Sequence, residues 1–398
     1  MLATLALAGE LAGCSADGDT AADGAPPAQP AGCALQISAG AAHTCAIKAD
    51  RTLWCWGSAS AGQIGIAEPD GKFPVPRQVD QLGAEVLLVR AGLRHTCAIK
   101  ADHTLWCWGS NSYGQLGLDP DEVGATPVPT EVPGIGPGVV DVAPGADHTC
   151  AVKDDGSVWC WGNNAYGQLA AKPPASLVSP NPRHIDLSGA SAVAIDAGEI
   201  HTCALAADSA VWCWGDNAFG QLGHDDPEGW VPRPVAGLGS AAAHVTAGVR
   251  HTCALSKGGI LLCWGDSSWG QLGPGVAAGA SSTPVEVGDL PAPVLRADAG
   301  GGHSCAVEGS GAVLCWGYNN VAQLGVPPPP LIVPAPAAVA PLPPVAELSA
   351  GGGHTCALAA GRPWCWGANG DGQLGDGTVA AYPAAFRGPT SALLCDDQ

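Results

Sequence analysis

The chain has 398 residues, with 36 acidic side chains against 16 basic ones and a formal charge of −20. Charge of that sign repels phosphate backbones and anionic lipid, so nucleic-acid binding has no electrostatic footing. Beyond the N-terminus no run of 18 apolar residues occurs, which excludes an ordinary membrane-spanning helix there.

The first nine residues, Met1-Leu-Ala-Thr-Leu-Ala-Leu-Ala-Gly9, form an apolar stretch like the central region of a secretory leader. No Lys or Arg precedes it and Glu10 interrupts it; a start codon assigned too far downstream would explain the missing basic residues. Leu11-Ala12-Gly13-Cys14 then resembles the lipobox of bacterial lipoproteins. That resemblance implies a signal peptide over residues 1–14 and lipid attachment at Cys14. With Ser15 rather than Asp next in line, it also implies the outer membrane or surface of a Gram-negative cell. Residues 15–32 carry no large apolar side chain and read as a flexible acidic Ala/Pro/Gly tether.

Over residues 33–398 one phrase returns seven times: His-Thr/Ser-Cys-Ala, a short polar interruption, then an apolar residue, Cys, Trp and Gly. Its histidines are His43, His95, His148, His201, His251, His303 and His354, spaced 50 to 53 residues apart. A period of that length marks units that bury their faces only against neighbouring units. Each phrase reads as a β-hairpin, with Asp155-Gly156 a turn signal in the third copy. Placing Cys45 opposite Cys55 sets Ala46 against Trp54, Thr44 against Trp56, Ile47 against Leu53 and His43 against Gly57. Large residues then face small ones at both Trp positions, and Gly57 is expected to make room for the imidazole. A one-residue slip would destroy every match.

One face of such a hairpin carries Trp and the other carries Cys, Ile and Leu, so each sheet must be covered on both sides. An extended segment precedes each hairpin, as in Val139–Gly145, and another follows, as in Thr126–Val132, whose prolines suit only an edge strand. Four strands in each of seven copies predict an all-β, seven-bladed propeller with four-stranded antiparallel blades.

The 17 cysteines divide by the same logic. Opposed positions on adjacent antiparallel strands, with Cα atoms ~4.5 Å apart, lie within disulfide reach. The expected pairs are Cys45–Cys55, Cys97–Cys107, Cys150–Cys160, Cys203–Cys213, Cys253–Cys263, Cys305–Cys315 and Cys356–Cys365. If Cys14 carries lipid, Cys33 and Cys395 remain, one on each side of the repeats, and are expected to pair where the ring closes. Disulfides in this number require an oxidising compartment.

Copies such as Ala91-Gly-Leu-Arg-His-Thr-Cys-Ala98 and Leu105-Trp-Cys-Trp-Gly-Ser-Asn-Ser-Tyr-Gly-Gln-Leu-Gly117 resemble the regulator of chromosome condensation repeat family. The Gly-Gln-Leu-Gly tail recurs at 114–117, 220–223, 270–273 and 372–375, with Gly62-Gln-Ile-Gly, Gly167-Gln-Leu-Ala and Ala322-Gln-Leu-Gly as variants. The resemblance runs from about residue 37 to about residue 390. It implies the same seven-bladed fold. The paired cysteines depart from the general family pattern and look like a secreted adaptation. The acidic chain has no counterpart of the founder's basic chromatin-binding tail, which sets it apart from guanine-nucleotide exchange.

A trio such as His43, Cys45 and Cys55 could hold zinc, but seven identical sites in an oxidising compartment favour disulfides and an architectural histidine bonded to backbone. The repeated tryptophans are expected in the core. Trp230, outside the repeat phrase, and Trp269, standing where other copies have Tyr113 or Phe219, are the candidates for exposed contacts. Asp225, Asp226 and Glu228 form a carboxylate cluster, too short in oxygen ligands for an ordered Ca²⁺ loop. No nucleophile elbow, zinc-protease motif or phosphate loop is present, and no cofactor is expected. The sequence therefore reads as a monomeric, lipid-anchored scaffold binding a protein or polysaccharide of the cell envelope or exterior through variable loops. Two alternatives remain: a polysaccharide hydrolase or lyase with a central-channel site, and a secreted enzyme inhibitor, as in a similar propeller family.

Overall fold

Every repeat becomes one four-stranded antiparallel sheet built from strands consecutive in sequence, and seven such sheets form the propeller. The computed structural model describes residues 34–384, apart from 69–70, 174–176, 227, 239–240, 277–278 and 292. Cys14, Cys33 and Cys395 lie outside the described residues. Blade 1 is typical, passing from an innermost strand Ala34–Ala39 through His43–Lys48 and Leu53–Ser58 to an outermost strand Lys72–Gln78. Its central hairpin has the expected register throughout: His43 with Gly57, Thr44 with Trp56, Cys45 with Cys55, Ala46 with Trp54 and Ile47 with Leu53. The seven hairpin disulfides form as expected, with Cα atoms 4.1 to 4.2 Å apart. The cysteines are therefore not zinc ligands. The proline-bearing strand Ala125–Glu131 lies at the outer edge of blade 2, where a missing N–H costs no ladder bond.

The core sits between blades. The disulfide of blade 1, with Ile47 and Leu53, packs against Trp108 of blade 2, and each blade repeats this toward the next. The ring closes the same way, with Cys356 and Cys365 of blade 7 against Trp56 of blade 1. The second tryptophan of the phrase is fully buried in all seven copies. The first is only half buried, and blades 5 and 6 carry Leu262 and Leu314 in its place.

Polar bonds cross the same joints. His43 Nε2 meets Thr96 Oγ1 of blade 2 at 2.7 Å, and the pattern passes around the ring to His354 on Thr44. The histidine's partner is thus a hydroxyl of the next blade rather than backbone. In six of the seven copies that hydroxyl donates its one proton to a backbone carbonyl of the preceding blade, as Thr96 does to Gln63 at 2.7 Å. In those six the histidine must then donate through Nε2–H, which leaves Nδ1 unprotonated, and Nδ1 is without a hydrogen-bond partner in all seven rings. Burial holds these imidazoles far below their usual pKa, at about 4 for His43, His148 and His251 and about 3 for the other four. The Gln63 carbonyl also accepts Trp108 Nε1–H at 2.9 Å, and each Gly-Gln-Leu-Gly copy serves the next blade's tryptophan alike.

Gly57 plays a different part from the one its position suggested. A Cβ there, at φ +103°, would strike Ala42 O and His43 Cα, so it admits the partner strand's backbone. Room for the imidazole comes from Gly40, whose Cβ would collide with the His43 ring.

Candidate functional site

An antiparallel meander sends its hairpin turns to one face and its other two connections to the opposite, loop face. The central channel is lined by alternate residues of the innermost strands, and these differ between copies. It holds Arg90, Asp141, Asp196, Asp298 and Glu347, with His244 and Arg296 exposed in the same ring of positions. A cluster of that kind is what a channel enzyme would need. The hydrogen bonds give it another task.

An innermost strand has one edge with unpaired N–H groups. Many of these are capped by a side chain from the preceding blade, while Val142 and Ala197 use the neighbouring Asp141 and Asp196 of their own strands. Gln36 Oε1 and Ser38 Oγ accept from Val89 and Ala91. Asp141 accepts from Ile195, Asp196 from Ala247, Asp298 from Ala350, and Glu347 and Ser349 from Ile37 and Ala39, all at 2.7 to 3.0 Å. Arg90 links blade 2 to Asp141 of blade 3 at 3.5 Å. Different residue types thus perform one structural task at six of the seven joints, the exception being the joint into blade 3, where Asp141 accepts the Val142 N–H of its own strand and Pro144 has none. Burial, with the Asp298 charge adding to it, raises both Asp196 and Glu347 to about 7. Burial also raises Asp141 and Asp298, against Arg90 for the first and the Thr246 hydroxyl for the second. Among the described residues no group of three His, Cys, Asp or Glu side chains is placed to hold a metal ion.

On the loop face the Gly-Gln-Leu-Gly turn does a second job. In every blade the glutamine side chain accepts the backbone N–H of the residue two places before it, at 2.8 to 3.0 Å. The residue so held is Ala61, Tyr113, Tyr166, Phe219, Trp269, Val321 or Asp371 in blades 1 to 7. The glutamines themselves are buried. Seven points on one face therefore present seven variable side chains on a fixed frame, and four consecutive blades present aromatic rings. Tyr113 is 40% exposed and Tyr166 52%. Phe219 lies under Arg250 at 4.9 Å, and Trp269 is half buried, stacked on Tyr318 with centroids 5.0 Å apart.

Trp230 belongs to the same face, for a reason hidden in the spacing. Gly62, Gly114, Gly270 and Gly372 each abut an outer-strand proline of the next blade: Pro127, Pro180, Pro334 and Pro74. Gly167 abuts Trp230 instead. Trp230 is thus blade 4's counterpart of that proline rather than a residue outside the repeat, and the outermost strand there shrinks to Arg233–Pro234. Where that strand is missing, a cleft of about 520 Å³ opens, lined by Tyr166, Asp216, Asn217, Asp225, Asp226 and Trp230. Asp226 pairs with Arg233, Asp225 and Glu228 are exposed, and Lys172 lies 5.5 Å over the Trp230 ring. Of the expected contact residues, the structure brings Trp230, Asp225 and Asp226 together in this cleft. It packs Trp269 against the next blade and does not place Glu228 in the lining.

The comparisons agree with this architecture. The sequence profile of the RCC1-like domain matches residues 8–340. Among curated proteins the chain is 33% identical over 211 residues to human E3 ubiquitin-protein ligase HERC2, covering 51% of this chain and 4% of that protein. It is 33% identical over 190 residues to the ultraviolet-B receptor UVR8 of Arabidopsis thaliana, 47% of this chain and 42% of that protein. Both matches thus span about half of this chain and the smaller part of each relative. Prp20p from Saccharomyces cerevisiae superposes with a TM-score of 0.75 at 22% identity, over 85% of each chain. Human WBSCR16 does so at 0.72 and 24%, over 82% of this chain and 86% of that one. At such identities these structures speak for the fold alone.

Proposed function

The chain belongs to the RCC1-like domain family, and we propose that it is an exported, lipid-anchored, monomeric scaffold that binds a partner protein through the loop face of its propeller. One observation carries the reading. The repeat fixes seven backbone positions on that face with buried glutamine side chains and leaves the displayed residues free to differ. A frame that is constant and a surface that varies is an arrangement for recognition. The channel carboxylates, which a catalytic reading would recruit, are committed to inter-blade N–H groups. Attachment at Cys14, the tether over 15–32 and the oxidising compartment that seven disulfides require are consistent with display outside the cytoplasm. The net charge of −20 argues against nucleic acid as partner.

The test uses the full chain expressed in a Gram-negative host. Labelled palmitate should enter the protein and be lost in Cys14→Ser. Affinity capture should recover a partner that Tyr113→Ser/Tyr166→Ser no longer retains, while Asp102→Asn/Asp155→Asn on the hairpin face retains it. Equal capture by both variants would overturn the loop-face assignment.

A further inference from the structure

Resting on the loop-face reading, we propose that the cleft between blades 3, 4 and 5 is a receptor for a cationic side chain, an arginine or lysine carried on an extended basic segment of the partner protein. Tyr166 and Trp230 supply the aromatic lining, and Asp216, Asp225 and Asp226 supply carboxylates. Aromatic faces beside carboxylates suit a guanidinium or ammonium, which stacks on the ring while donating hydrogen bonds to the anions.

The molecule already uses this chemistry on the same face with its own cations. Arg250 lies over Phe219, Lys172 over Trp230, and Arg233 pairs with Asp226. Those three cations leave Asp225 exposed and the Tyr166 ring 52% exposed, so one carboxylate and one aromatic face remain for a visitor. Asp216 is held in place, accepting Gln221 Nε2–H at 2.8 Å, and that glutamine also fixes Phe219. The cleft is therefore anchored to the repeat frame at its floor and open at its rim. The truncated outermost strand Arg233–Pro234 makes this a property of blade 4 and not of the fold.

Binding should be measured by calorimetry on the full chain, with a capped deca-arginine peptide as probe and the same peptide with citrulline, a deca-glutamate peptide and a neutral chitooligosaccharide as controls. A chain of charge −20 attracts any polycation weakly, and that attraction is screened at high salt. The comparison is therefore made at both low and 0.5 M salt, an ionic strength at which the Debye length is roughly 4 Å. Expected are saturable binding of the arginine peptide that persists at high salt and weakens at least tenfold in Tyr166→Ala and in Asp225→Asn. No detectable binding of the other three probes is expected. Tyr113→Ala, one blade away, should bind as the unaltered chain does. Binding of citrulline equal to arginine, insensitivity to both cleft variants, or preference for the glycan would each overturn the proposal. If the partner of the capture experiment is still lost in Tyr166→Ser while the arginine peptide does not bind, the loop-face reading stands and only the cationic assignment fails.

Discussion

The seven histidines and the seven residues held by the glutamine side chains are equally regular in position and opposite in character. Each histidine is fixed by one hydrogen bond to the next blade, lies wholly inside, and is the same residue seven times. Each displayed residue is fixed by one hydrogen bond to its own blade, lies at the loop face, and runs from Ala61 to Trp269 in type. Positional regularity is therefore no guide to role. The side chain that faces protein on every side is dictated by packing. Where only the backbone is held, the side chain is left to other demands.

Acid should break the interior half of this comparison most severely. A histidine with a folded pKa of about 3 or 4 binds its proton more readily in the unfolded chain, where the value is near 6.5. Between pH ~6.5 and ~4 the unfolded state therefore holds up to seven more protons at these sites, and stability falls as pH falls. Four channel carboxylates, Asp141, Asp196, Asp298 and Glu347, act in the opposite sense. Their raised values let the folded state hold protons that the unfolded chain releases above pH ~4. The seven histidines outnumber these four carboxylates, and His244, also lowered to about 4, adds to them, so the net effect is a loss of stability as pH falls. Urea midpoints measured from pH 7 down to pH 4.5 should drop steeply. A flat or rising series would show that the histidines are not the buried neutral groups described.

Next in size is a pair of substitutions five residues apart in blade 3. Trp161 is fully buried against the blade 2 disulfide, and its Nε1–H reaches Gln115 O at 2.9 Å. Trp161→Ala should cost about 3–5 kcal/mol by the usual cavity reckoning for a large core side chain. Tyr166→Ala removes an aromatic of similar reach from a displayed position and should change stability by no more than about 0.5 kcal/mol. Chemical denaturation of both variants checks the contrast. Comparable losses would mean that the displayed ring is part of the core after all.

How much of this the sequence disclosed depends on whether a contact lies within one copy or between copies. Within a hairpin, alternation and the Cys–Cys constraint leave one register, and Thr44 against Trp56 or Ala98 against Trp106 could be written down from spacing alone. The partner of His43 could not, because Thr96 lies 53 residues away and meets it only once the ring is built. Gly57 was assigned the imidazole although the contact lies within one copy, because register shows which residue faces His43 and not where its ring turns; the ring lies against Gly40 and the backbone against Gly57. The channel ring was legible in principle. Aligning the innermost strands puts Gln36, Asp141, His244, Arg296 and Glu347 in one column, and Ser38, Arg90, Asp196, Thr246, Asp298 and Ser349 two places later. Trp230 was hidden because the connection before it is shorter, which places it 10 residues after Gly220 where Pro127 and Pro180 follow Gly114 and Gly167 by 13. The cleft it lines comes from that displacement, and no local motif announces it.

The smallest effect is the one that separates frame from display most cleanly. Gln168 contributes two groups to different purposes: its backbone carbonyl accepts Trp214 Nε1–H at 2.9 Å, and its side-chain Oε1 accepts the Tyr166 N–H at 2.8 Å. Gln168→Ala keeps the first bond and removes the second. The interior joint between blades 3 and 4 should survive, with a stability loss of about 1 kcal/mol for one hydrogen bond and the buried stem. Amide exchange at Tyr166, however, should quicken markedly, because its N–H would lose its acceptor and face solvent. Partner capture should weaken along with it, although Tyr166 itself is intact, since a ring on a loosened backbone must be ordered again on binding. If exchange at Tyr166 stayed slow in Gln168→Ala, the glutamine would not be what holds the displayed residue. The seven variable positions would then be ordinary loop residues rather than a constructed surface.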